Sequence, residues 1–174
     1  MIYYISDTHF GDERVMRLAM RPFDSVTAMN NYMINQWNTK ISSDDEIYIL
    51  GDFAVSDDIA MEMLQRLNGH KHLIVGNHDS VLACALSCFE SICDIKKITD
   101  NGRSVVLCHY PLLSYENSIY GGYQIFGHIH NNSTDIATDL QRLLPRSLHA
   151  GVDVNNFEPK TFDELIGIKE QNRK

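Results

Sequence analysis

Four cysteines, at positions 84, 88, 93 and 108, form no C-x-x-C pair, and nowhere do Lys and Arg gather into a basic run. The sequence also lacks an apolar stretch approaching a bilayer span, an internal repeat and a low-complexity segment. Each absence excludes something. Without paired spacing the cysteines are read as reduced, small buried residues, with Cys108 the one to watch for oxidation because a candidate ligand follows it. A net charge of −8 argues against broad capture of a phosphate backbone, so nucleic acid is not an expected partner. The start, Met-Ile-Tyr-Tyr-Ile-Ser-Asp, has no basic n-region and turns polar too early for a secretory signal. A cytoplasmic chain with no membrane segment is the expectation. With no linker in view and apolar residues at 44%, residues 1–174 are read as a single domain large enough for its own core.

What is present is a series of short apolar runs alternating with helical periods. Ile2 to Ser6, Glu46 to Leu50 and His70 to Val75 read as strands. Between them, residues 12 to 20 read as a short helix ended at the Arg21-Pro22 step. Asp24 or Ser25 can cap a second helix in which Val26, Met29, Met33, Trp37 and Ile41 form one face. Asp57-Asp58 can cap a third, carrying Ile59, Met63, Leu64 and Leu67 and closed by Asn68-Gly69. Residues 80 to 89 also read as helical. From Ile92 the pattern changes: Ile95 and Ile98, then Asp100-Asn101-Gly102, then Val105 to Leu107, predict strands joined by a tight turn and hence antiparallel pairing. Tyr110 to Tyr123 is read as a loop and Asn131 to Pro145 as a possible site for a short helix. Leu148 to Val154 is read as a strand, and Thr161 with Glu164 as a capping box. The fold class is therefore α/β, with mixed sheets covered by helices.

Five apolar runs deliver ligand-type residues at their carboxyl ends: Asp7 and His9, then Asp52, then Asn77, His78 and Asp79, then His109, then His128 and His130. Singly each has a bland reading, since a buried His is usually a satisfied core residue and Gly-Asp often begins a turn. Together they place five of the eight histidines where ligands gather in open α/β sheets. Imidazoles mixed with carboxylates suit Mn, Fe, Zn, Co or Ni rather than an all-oxygen Mg or Ca cage. Seven donors exceed the need of one ion, so two cations about 3.5 to 4 Å apart, sharing a carboxylate, are the economical arrangement. Such a pair activates water near neutral pH and neutralises phosphoryl charge. It also makes the acidic chain less anomalous as a phosphate binder.

Asp7-x-His9, Gly51-Asp52, Gly76-Asn77-His78-Asp79, His109 and Gly127-His128-x-His130, in that order, resemble the motifs of the calcineurin-like metallophosphoesterases. Arg21-Pro22-Phe23 and the Asn-His-Asp third motif look most like the small bacterial and phage members. The resemblance implies two sheets packed as a sandwich flanked by helices. It further implies one divalent transition metal on Asp7, His9, Asp52 and His130, and a second on Asp52, Asn77, His109 and His128. Mn is the first choice, with Fe, Zn, Ni or Co as alternatives. His78 would serve the leaving oxygen as catalytic acid, its ring oriented by Asp79. The implied reaction is hydrolysis of a small or nucleotide-like phosphodiester or phosphomonoester. A metal-binding scaffold of the same fold and a nuclease acting on ends are the alternatives. Gly-Asp-Phe-Ala-Val and Asn-His-Asp, where protein phosphatases of the family carry Asp-Arg-Gly and Asn-His-Glu, argue against phosphoprotein substrates. Asp12 adds a carboxylate beside the first motif, and Arg14, Arg17 and Arg21 are candidate phosphate contacts.

Overall fold

The computed structural model describes residues 1–132, 139 and 143–171. Two four-stranded sheets stack face to face. The first is wholly parallel, in the order β1 (Ile2–Ile5), β2 (Glu46–Ile49), β3 (His70–Ile74), β4 (Ser91–Cys93). The second runs β5 (Ile95–Asp100), β6 (Arg103–Cys108), β7 (Tyr123–Phe126), β8 (Ser147–His149), antiparallel only between β5 and β6. Helices α1 (Glu13–Leu18), α2 (Val26–Lys40), α3 (Asp57–Arg66) and α4 (Phe162–Gln171) cover this pair of sheets. The expected α/β sandwich with flanking helices is the observed fold.

β1 and β2 are apolar on both faces, which is why they read as nearly continuous hydrophobic runs, whereas β3 is apolar only toward its carboxyl end. Side chains alternate along a strand. Tyr3, Ile5, Ile47, Ile49 and Leu73 join the helices in one core, while Tyr4, Tyr48, Leu50 and Ile74 meet Val105, Leu107, Ile125 and Leu148 of the second sheet in another. On α2 the face at spacings of three and four is buried: Met29, Met33 and Trp37 are at most 1% exposed. Each such side chain contributes roughly 1.5–3 kcal/mol through burial.

Several local expectations change for identifiable reasons. The 80–89 segment forms two 3-10 turns, Asp79–Val81 and Ala85–Cys88, rather than an α-helix. Ile92 lies in β4, the edge of the first sheet, so the chain changes sheets at Asp94. α1 ends before proline matters. Met20 adopts φ +52°, with Met20 N–H donating to Arg17 O at 3.2 Å and Arg21 N–H to Met16 O at 2.9 Å, a Schellman closure with methionine in the usual glycine position. Ser56, not Asp57, caps α3, and Asp57 and Asp58 occupy its first turn. β8 stops at His149 because Ala150 and Gly151 leave the second sheet to meet β1: Ser6 N–H donates to Ala150 O at 3.0 Å and Val152 N–H to Ser6 O at 3.1 Å. Only Cys108 of the cysteines is buried; Cys84 and Cys88 are exposed. Most of the stretch read as a possible helix within Asn131 to Pro145, including Ile136 and Leu140, lies outside the described residues. Among the described residues no helix is long and apolar enough to cross a membrane.

Gly127 sits where the sheets meet. A Cβ there would fall 1.8 Å from Ser6 Oγ and 2.5 Å from an Asp7 carboxylate oxygen, whereas at Gly167 on α4 it would meet nothing within 4 Å. Gly127→Ala is expected to lower stability by about 1–3 kcal/mol or more through overpacking. Gly167→Ala should raise it by about 0.4–1 kcal/mol by restricting the unfolded chain. Urea unfolding midpoints of the two variants check both signs.

Candidate metal centre

The carboxyl ends of β1, β2 and β3 point the same way because the strands are parallel, and the tips of β6 and β7 lie opposite them. The loops stay paired beyond the strands: Asp7 N–H donates to Gly51 O and His9 N–H to Asp52 O, both at 3.0 Å. Gly51 and Gly76 allow the tips of β2 and β3 to touch, since a Cβ on Gly51 would lie 2.7 Å from Gly76 Cα. Across the sheets, His128 N–H donates to both Asp7 carboxylate oxygens, at 3.0 and 2.9 Å.

Two ligand groups result. Asp7, His9 and His130 offer donor atoms within 4.8 Å of one another, and so do Asp52, His109 and His128. Asn77 joins the second, its Oδ1 lying 3.0 Å from His109 Nε2 and 3.1 Å from His128 Nδ1. Asp52 Oδ2 lies between the groups, 3.5 Å from His9 Nε2 and 3.5 Å from His109 Nε2. All seven residues read from sequence as ligands therefore converge. Asp7, His9, Asp52, His128 and His130 hold φ between +46° and +71°, a left-handed backbone costing of order 1–3 kcal/mol per residue.

The donor chemistry fits cations. His109 Nδ1 faces Leu50 O at 2.7 Å, and a carbonyl can only accept, so Nδ1 carries the proton and Nε2 of the neutral ring presents a lone pair. That lone pair faces two further acceptors, Asp52 Oδ2 and Asn77 Oδ1. His9 Nε2 is buried with no hydrogen-bond partner among the described residues. Acceptors aimed at one another in a buried site call for positive charge between them.

Charge is tuned accordingly. Burial alone would raise the Asp52 carboxyl, but positive charge at the facing His9 and His109 rings, when these are protonated, and the His78 N–H bring it down to about 2. Burial, aided by His109, lowers His128. Burial opposes the charged form of His130 as well, yet the bond to Asp153 and the charge of Asp7 raise it overall.

Two supports were not assigned from sequence. Asp153 Oδ2 accepts from His130 Nδ1 at 2.7 Å, which leaves Nε2 for the site. Arg21 holds Asp153 through Nε and Nη2 at 2.8 and 3.1 Å and donates to the carbonyls of Asp7 at 2.7 Å and Thr8 at 2.9 Å. Its side chain is fully buried, so Arg21 braces the site and is not a phosphate contact. Arg17 is exposed and pairs with Glu13, while Arg14 lines the cleft beside the centre. The available signal was an acid inside the apolar run Ala-Gly-Val-Asp-Val.

Asp79 also differs from expectation. Its carboxylate does not orient the His78 ring. It accepts from the backbone N–H groups of Gly76 at 2.7 Å, Asp52 at 2.9 Å and Phe53 at 2.9 Å, and burial raises its pKa. His78 is exposed, its backbone N–H bound to Asp52 Oδ1 at 2.9 Å and its ring 5.3 Å from that of His9. Asp12 caps α1 by accepting from Val15 N–H at 2.9 Å and keeps its other oxygen 3.8 Å from His9 Nδ1.

No protein-family model matches the chain. It is 32% identical over 177 residues to the uncharacterized protein MJ1445 of Methanocaldococcus jannaschii, covering 99% of this chain and 93% of the relative, and it belongs to the family of that protein. It is also similar to a crystal structure from Aquifex aeolicus, the protein of unknown function AQ665, with TM-score 0.78 and 26% identity over 97% of this chain and 98% of the other. Looser likenesses include the nuclease MPE of Pseudomonas putida, with TM-score 0.48 and 16% identity over 74% of this chain and 61% of that one.

Beside the centre, His149 stacks on Phe126 with Nε2 buried and without a hydrogen-bond partner among the described residues, and burial pushes its pKa down to about 4. The folded chain thus favours neutral His149. Its contribution is complete above the ordinary value of 6.5 and is lost as pH falls toward 4. By pH 5 the loss is about 2 kcal/mol relative to pH 7. Thermal melts of wild type and His149→Gln at both pH values should show that difference, with the variant flatter; parallel curves would assign the acid loss elsewhere.

Proposed function

We propose that this chain is a phosphoester hydrolase dependent on two divalent transition-metal ions and acting on a small phosphodiester or phosphomonoester. The observation that carries the reading is Asp52 Oδ2, 3.5 Å from His9 Nε2 of one donor group and 3.5 Å from His109 Nε2 of the other, so that one carboxylate would serve both. Asp7, His9, Asp52 and His130 would hold one ion, and Asp52, Asn77, His109 and His128 the other. Bound there, the ions would acidify water and offset phosphoryl charge, Mn being the first choice.

The chain's own residues supply the rest. Arg21 and Asp153 fix the rotamer of His130, and Leu50 O fixes the tautomer of His109, so both rings present Nε2 to the centre before a substrate arrives. Asp79 holds the backbone of Asp52 against that of Gly76, which keeps the shared carboxylate still. His78, exposed and joined to Asp52 only through its backbone, is free to turn its ring toward a departing oxygen and give it a proton.

Protein supplied with Mn should hydrolyse bis-p-nitrophenyl phosphate or p-nitrophenyl phosphate and lose the activity to a chelator. Calorimetry should count two ions per chain. Asp52→Asn should weaken ion binding and lower kcat at least 100-fold, and His78→Ala should lower kcat while leaving two ions bound. Turnover that persists in chelator, or two ions bound with no hydrolysis of either ester, would sink the proposal.

A further inference from the structure

A cleft of about 640 Å³ opens off the ligand cluster, with His9, His78, His128 and His130 forming its inner wall. That volume suits one small organic ligand. The rest of its wall includes Asp12 at the N-cap of α1, Arg14, Val15 and Leu18 of α1, Met20 just beyond that helix, and Ile129.

Three features of that wall have no structural explanation in the fold. Leu18 is 70% exposed and Met20 83% exposed, so two large apolar side chains line the opening without contributing to either core. Met20 also holds φ +52° at a helix end where glycine would be unstrained, so a long apolar side chain is kept at a backbone cost. Arg14 has no ion-pair partner among the described residues, whereas Arg17 pairs with Glu13 and Arg21 with Asp153.

We propose that this cleft is a subsite for a nucleoside-type arm of the substrate, an inference that rests on the phosphoesterase reading above. The apolar side chains of Leu18, Met20 and Ile129 offer cover for the flat face of a heterocycle. Arg14 and the amide of Asn131 supply a polar rim for its edge and its sugar. An acyl chain would leave that rim unused, and a plain sugar would leave Leu18 and Met20 in water. A polynucleotide would meet the repulsion of a chain carrying net charge −8. A single nucleoside uses both surfaces.

The test compares ligands differing only in that arm. Binding of thymidine 5′-monophosphate and of inorganic phosphate to the Mn-supplied protein is measured by calorimetry. Cleavage of thymidine 5′-monophosphate p-nitrophenyl ester is compared with that of methyl p-nitrophenyl phosphate. The nucleotide should bind at least tenfold tighter than phosphate, and the nucleoside ester should show at least tenfold higher kcat/KM. Arg14→Ala and the double variant Leu18→Ser, Met20→Asn should each shrink both ratios at least fivefold. Both replacements lie on exposed positions, and asparagine suits the left-handed backbone at 20.

Ratios near one in wild type, ratios unmoved in the variants, or no binding of either ligand would overturn the subsite. Equal cleavage of both esters would overturn it while leaving the hydrolase reading intact. The expected binding ratio with neither ester cleaved would support the subsite and remove the hydrolase reading.

Discussion

Three backbone N–H groups converge on the buried Asp79 carboxylate, and the centre depends on that contact. Gly76 belongs to the tip of β3, and Asp52 and Phe53 to the turn after β2. One side chain therefore fastens two loops whose ends have left the protection of the sheet. A carboxylate that accepts several N–H groups in a desolvated place holds them through charge-assisted bonds, each stronger than a neutral pair. With those loops fixed, Asp52 cannot swing, and the two imidazoles 3.5 Å away are held in register with it.

A second brace acts on the opposite side. The Arg21–Asp153 pair is fully buried, and its guanidinium spends its remaining donors on carbonyls of the first loop. Removing one partner of such a pair leaves an uncompensated charge inside the protein, a loss of about 3–5 kcal/mol. Between them the braces stabilise five left-handed backbone positions that would otherwise relax. Strain gathered at ligating residues and held by surrounding bonds is what a preorganised site requires.

Much of this was legible in the chain itself. Short apolar runs were enough for β1, β2 and β3 of the first sheet, though not for β4, and the seven candidate ligands were picked out because they stood at the strand ends. The capping box at Thr161 and Glu164 was read directly, and the structure forms both of its bonds. Less legible were features set by partners distant in sequence. Nothing local tells that Arg21 turns inward to meet an acid 132 positions away, or that Asp79 serves backbone rather than its neighbouring ring. The 80–89 run has helical apolarity but folds as tight 3-10 turns. The Asp57 carboxylate takes the N–H groups of Cys84 and Ala85 at 2.8 Å, tying that segment to the start of α3.

The seam between Ser6 and Ala150–Gly151 also bears on the order of events during synthesis. β1 is synthesised well before the backbone neighbour that completes its outer side. Asp7 and His9 must wait for His130 and for the Asp153 that steadies it, so the first donor group cannot assemble before that later segment is made. A product ending before Asp153 would carry Asp52, Asn77, His109 and His128 yet leave His130 without its brace, so the two donor groups mature at different times.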